Sequence, residues 1–180
     1  MKLTAYTTLA LTALAFSLSA CDGDDEPTTA FSREQLLGTW NLERQEVVAT
    51  SEISGMTTPY TESIDESEVE LTFEEDGTFY RTGTSRYTLV VHPGTDSATT
   101  ETERLDDVVF PGTYTVEGTT VTTTEQFYEA DPNSPVVTVY EVRAFVPGQR
   151  LVLDGTADNR HIFLGADLRV YGTVELVLTR

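Results

Sequence analysis

Glu68-Val69-Glu70-Leu71-Thr72-Phe73-Glu74-Glu75-Asp76-Gly77-Thr78-Phe79 is the stretch that decides the fold class. Val69, Leu71 and Phe73 fall on one side of the chain, and Glu70, Thr72 and Glu74 on the other. That period of two is the pattern of a half-buried strand. Asp76-Gly77 then supplies a hairpin turn, because the favoured two-residue turns need positive φ. Thr78 to Val91 returns as the partner strand.

The same texture runs outward in both directions. Upstream, Thr39 to Thr50 reads as a long first strand, with Trp40 and Leu42 on one face and Asn41 and Glu43 on the other. Before it, Ser32 and Gln35 form an S-x-x-Q capping box for a short helix that begins the globular part after Phe31. Leu36 and Leu37 give that helix an apolar patch, and Gly38 ends it. Downstream, His92-Pro93-Gly94 to Glu103 reads as a polar loop. Gly112 to Glu117 and Thr119 to Glu129 pair about Gly118. After Asp131-Pro132-Asn133-Ser134-Pro135, Val136 to Val146 is the next strand, and Pro147-Gly148 turns it into Arg150 to Asp154. Gly155 to Tyr171 looks less regular, and Thr173 to Thr179 closes the series. The expectation is an all-β, antiparallel, eight-stranded domain after one short helix, with threonine and tyrosine favouring strand throughout. Such a set of hairpins can close as an up-and-down barrel or pack as a sandwich.

The N-terminus carries a different signal. Met1 and Lys2 precede an uncharged Leu/Ala/Thr-rich run, Leu3 to Leu18, which is short for a membrane span. Leu18-Ser19-Ala20-Cys21 closes it and resembles the lipobox of bacterial lipoproteins. The resemblance implies cleavage before Cys21 and acyl chains on its thiol, each buried methylene contributing roughly 0.8 kcal/mol of membrane affinity. The alternatives are an ordinary secretory signal followed by a chance cysteine, or a retained helix. Asp22-Gly23-Asp24-Asp25-Glu26-Pro27-Thr28-Thr29 then reads as a flexible acidic linker, without the D-x-D-x-D-G spacing that wraps calcium. It is similar to stretches that follow the lipidated cysteine in surface-exposed lipoproteins of Bacteroidota. The organisation expected is a signal peptide over 1–20, a linker over 21–30 and one domain over 31–180. The address is the outer membrane, facing the periplasm or the cell surface.

Cys21 is the only cysteine, so no internal disulfide can form. Thirty acidic residues face eleven basic ones, a net charge of −19. Lys2 is the single lysine, so arginine carries all positive charge after the leader. Nucleic acid is excluded as a natural partner, since its phosphates meet like charge over most of the surface. The acidity fits either a cation-binding or basic-partner surface, or solvation in a salt-rich habitat.

Leu36-Leu37-Gly38-Thr39-Trp40 resembles the helix-then-G-x-W entry of lipocalins and of bacterial lipocalin-like lipoproteins. Gly77-Thr78-Phe79 and Gly112-Thr113-Tyr114 are similar to that bacterial group as well. The T-D-Y-type motif of animal lipocalins is absent. The resemblance, over about residues 33–180, implies a lipocalin-like barrel. Gly38 and Trp40 would then form its base, and Arg180 would stack on the tryptophan. Eight strands enclose room for side chains or one small ligand. Phe73, Phe79, Tyr114, Val121, Phe127, Val139 and Phe145 are the candidates to line either a cup or a filled core. Tyr60, Tyr80, Tyr87, Tyr128 and Tyr140 could stack on a glycan, or be ordinary strand residues.

Catalysis finds little support. His92 and His161 are the only histidines, too few for a zinc site without cysteine. No G-x-S-x-G elbow occurs. His161 beside Asp158 and Arg160 is the best polar cluster, more readily structural than catalytic. The expectation is no enzyme, no metal and no cofactor. The function expected is an envelope lipoprotein, held to the membrane by acyl chains on Cys21, that binds a small apolar or amphipathic ligand. The alternative is a filled surface or assembly module whose loops contact a protein or glycan.

Overall fold

Phe73 and Phe79 face each other across the Asp76-Gly77 turn, their rings stacked with centroids 5.4 Å apart. In the computed structural model, which describes residues 31–125, 135–163 and 166–180, this hairpin is one of a continuous series. A single helical turn, α1 (Arg33–Leu36), comes first. The strands are β1 (Gly38–Ile53), β2 (Met56–Phe73), β3 (Thr78–Val91), β4 (Thr99–Glu117), β5 (Thr120–Glu125), β6 (Val136–Val146), β7 (Arg150–Phe163) and β8 (Ala166–Thr179). Each pairs antiparallel with its neighbour in sequence. β8 pairs back onto β1, from Asn41↔Thr179 to Ile53↔Leu168, so the eight strands form one closed ring. That pairing excludes the sandwich, which needs two separate sheets.

Three segments differ from their reading. The polar loop after His92 is short: β4 already begins at Thr99, with Thr100 and Thr102 opposite Val90 and Thr88. Residues 56–67 extend β2 upstream of the Glu68 alternation, and the irregular stretch after Gly155 continues β7 to Phe163. These segments carry Thr, Ser, Glu and Asp on both faces, so no apolar alternation marks them. Backbone pairing forms them, and backbone pairing has no sequence period.

One end of the ring is packed shut. Trp40 and Phe79 are fully buried, and Leu36 packs with them beneath the ring. The Trp40 indole N–H donates to the Leu36 carbonyl at 2.7 Å, tying the helical turn to the first strand. Gln35 Oε1 accepts the Ser32 backbone N–H at 2.8 Å and satisfies one donor at the turn's start. Arg180 lies over the Trp40 ring, 3.9 Å from its centroid, and donates to the carbonyls of Leu36, Leu37 and Thr39. Two glycines let rings fill this end and the wall above it. A Cβ on Gly112 would sit 2.4 Å from the Phe79 ring, and one on Gly155 2.6 Å from the Tyr140 ring.

Candidate functional site

Burial along β2 and β3 changes partway up. Val69, Leu71 and Phe73 are buried, whereas Tyr60, Glu62 and Ile64 on the same strand are only partly so. The sheet therefore outruns its packed core. Above the shut end lies a cavity of about 460 Å³, within the usual range for small-molecule pockets. Val47 and Ala49 of β1, Val108 and Phe110 of β4, and Ala157 of β7 are among the apolar side chains that line it.

A polar layer sits within this apolar wall. Gln45 (β1), Glu62 (β2), Arg81 (β3), Glu125 (β5) and Tyr140 (β6) all line the cavity. Gln45 Nε2 donates to Glu62 Oε1 at 3.1 Å. Arg81 Nε stands 3.9 Å from Glu125 Oε2, an ion pair with both side chains nearly buried. Burial pushes the Glu125 carboxyl above its ordinary range, partly offset by Arg81. The same burial raises Glu62, opposed by the Arg81 charge and by the Gln45 hydrogen bond. Tyr140 is raised too, first by burial and then by the Glu125 charge. Tyr87, on the cavity wall, donates to Glu103 at 2.6 Å, and that bond leads the causes that push its hydroxyl up to about 12. Gln45 Oε1 and Glu125 Oε2 accept no hydrogen bond.

Asn159 of β7 has a structural task at the rim. Its Oδ1 accepts the Val137 N–H at 2.8 Å and its Nδ2 donates to the Val137 carbonyl at 3.1 Å. The side chain thus continues the β6–β7 ladder beyond Thr138↔Ala157.

The aromatic residues singled out from sequence fall elsewhere. Phe73, Phe79 and Tyr114 pack on one another at the shut end, and Phe145 meets Phe31 edge-on at 5.3 Å; none of them lines the cavity. Val121 is fully buried in the same core. Val139 is a correction: it is 40% exposed on the outer face, because Thr138, Tyr140 and Val142 take the inner positions of β6. Phe127 and Tyr128 lie outside the described residues, as do Leu18, Ser19, Ala20 and Cys21. Tyr60, Tyr87 and Tyr140 face the cavity, while Tyr80 is exposed on the opposite face, so these four make no single stacking platform.

His92 caps the turn after β3 with positive φ, its N–H bonded to the Pro59 carbonyl. Asp158 is held by Arg169 through two hydrogen bonds of 2.7 and 2.6 Å on the outer surface. Arg160 is exposed, and the His161 side chain lies outside the described residues. Among the described residues, no three His, Cys, Asp or Glu side chains converge as a metal site. No described helix is long and apolar enough to cross a membrane, which leaves membrane attachment through other means open. Sequence reasoning missed the polar layer, since a charged residue on a strand reads as solvent-facing. A usable signal did exist: Glu125 continues the inward parity of Val121 and Thr123.

A scan against models of known protein families gives no match for this chain, and a search of curated proteins gives none either.

Proposed function

We propose that this chain is a membrane-anchored, lipocalin-like lipoprotein of the bacterial envelope that holds a small apolar or amphipathic ligand inside its barrel. The observation that carries the reading is the cavity of about 460 Å³ above a core that is shut at one end. A filled module would continue the packing of Phe73, Phe79 and Tyr114 up the ring. Here the inner side chains of β2 and β4 lose burial instead. The stacking of Arg180 on Trp40 beside Gly38 supports the lipocalin-like part of the reading. Acyl chains on Cys21 are the proposed hold on the membrane, and the acidic linker sets the barrel just outside the headgroups. The outer membrane is the proposed location. The interior offers polar groups that can orient a ligand, and binding is the activity proposed.

The test is denaturing extraction and mass spectrometry of protein purified from its own cells. A stoichiometric small molecule supports the cup. Its repeated absence, together with failure to bind any apolar probe, overturns it in favour of the surface module.

A further inference from the structure

The polar layer of the cavity has an imbalance that points to the chemistry of the ligand's head group. Two carboxylates, Glu62 and Glu125, share one cation, Arg81, whose charge acts on both. Glu125 is 5% exposed and Gln45 8%, and each lines the cavity with an oxygen that accepts no hydrogen bond. Both of these oxygens are acceptors, and the Thr123 hydroxyl, also buried, can donate or accept. The other ionisable groups on the cavity wall are Tyr60, Tyr87 and Tyr140, of which Tyr87 and Tyr140 are pushed up and neutral, so among the described residues no second cation lines it. Buried acceptors left without donors cost stability, and a ligand that supplies donors recovers it.

We propose that the cavity selects a long-chain amphipath whose head group is a protonated amine, seated against Glu125, Gln45 and Glu62 with its chain along the apolar wall. This deepens the ligand-binding reading and rests on it. An ammonium has three donors and no acceptor, which matches the open oxygens. Its charge brings two carboxylates and one guanidinium to neutrality. A carboxylate head could pair only with Arg81, in competition with Glu125, would meet Glu62 and Glu125 as like charges, and would leave the Gln45 and Glu125 oxygens unfilled. A hydroxyl head can donate one bond but leaves the charge uncorrected.

The experiment is calorimetric titration of the full-length chain with dodecylamine, dodecanol and dodecanoate, each below its micellar concentration. The amine should bind roughly tenfold or more tighter than either analogue, the worth of one charge-assisted hydrogen bond. Glu125→Gln should collapse that preference, while Glu117→Gln on the exposed surface should leave it intact. Circular dichroism checks that both variants fold, and the ranking in the unmodified chain stands without either variant. Tightest binding by dodecanoate, equal binding of all three, or a preference that survives Glu125→Gln overturns the head-group assignment and leaves the cup standing. Binding of none of the three overturns the cup itself, and the assignment with it.

Discussion

At the scale of single residues, Arg180, which follows the last strand, ties the end of β8 to Trp40 of β1 and to the carbonyls of Leu36, Leu37 and Thr39 around the helical turn. Arg180→Met keeps the apolar stem and removes the stack and the donors. We expect a loss of about 1–3 kcal/mol, read as a lowered urea midpoint with unchanged m-value. An unchanged midpoint contradicts the role. Gly112→Ala places a methyl against the Phe79 ring and within 2.8 Å of the Thr124 carbonyl. It should cost about 1–3 kcal/mol through overpacking, measurable by the same unfolding curve. The interior carboxyls give a signed pH effect. Glu125 and Glu62 sit above their ordinary 4.5, so the folded state holds those protons more tightly than the unfolded chain. Their contribution is complete below about pH 4.5 and is lost as pH rises through the raised folded values. Asp76 and Asp158 are held below 3.8 by their hydrogen bonds to Thr78 and Arg169, and act oppositely, losing their contribution as pH falls. Melting temperatures of Glu125→Gln relative to the unmodified chain should therefore improve between about pH 4.5 and pH 8; a difference that ignores pH contradicts the burial of Glu125. The placing of Arg180 over Trp40 was expected only through the lipocalin resemblance of Leu36-Leu37-Gly38-Thr39-Trp40, since nothing in spacing or periodicity pairs residues so far apart. Glu125 and Arg81 were not, because a charge is the usual mark of the outer face and only strand parity assigns it inward. Val139 failed for the converse reason: in Val136-Val137-Thr138-Val139-Tyr140 both faces carry apolar side chains, so hydrophobicity alone does not name the inner one.

At the scale of elements, the strands divide into packed and merely paired portions. In β4, Thr99 to Arg104 is exposed on both faces, whereas Tyr114 is buried in the core. Hydrogen exchange should be faster at Thr100 and Thr102 than at Tyr114, whose N–H is bonded to the Gly77 carbonyl at 2.8 Å. Equal protection along β4 contradicts that division. Asn159→Ala removes the side-chain rungs to Val137 and should raise exchange at the Val137 amide while leaving Tyr140 protected. The Asp76-Gly77 hairpin and the Val69-Leu71-Phe73 alternation were legible because one buried face imposes a period of two. The upper strand halves were not, since chain segments around a cavity mouth have no dry core to face. The sequence predicts eight strands and eight are found among the described residues, but four of them extend well beyond the predicted limits.

At the scale of the whole molecule, β1 and β8 close a ring that is shut below and hollow above, and the proposed anchor is Cys21, the only cysteine, directly after the proposed signal peptide over 1–20. Cys21→Ser should release the protein from membranes and abolish acyl labelling; unchanged retention contradicts the anchor. A surface this acidic, with no lysine after Lys2, draws little from anionic lipid, so no electrostatic attachment is expected to replace the proposed acyl chains. The central claim is that the space inside the ring receives a ligand. It is tested most directly by titrating the chain with the neutral apolar fluorophore N-phenyl-1-naphthylamine, beside Ala157→Trp, which fills the cavity wall. The account predicts saturable binding at one site per chain, displaced by dodecylamine and lost in the folded Ala157→Trp variant. Absence of saturable binding, or binding that survives the blocked cavity, contradicts it.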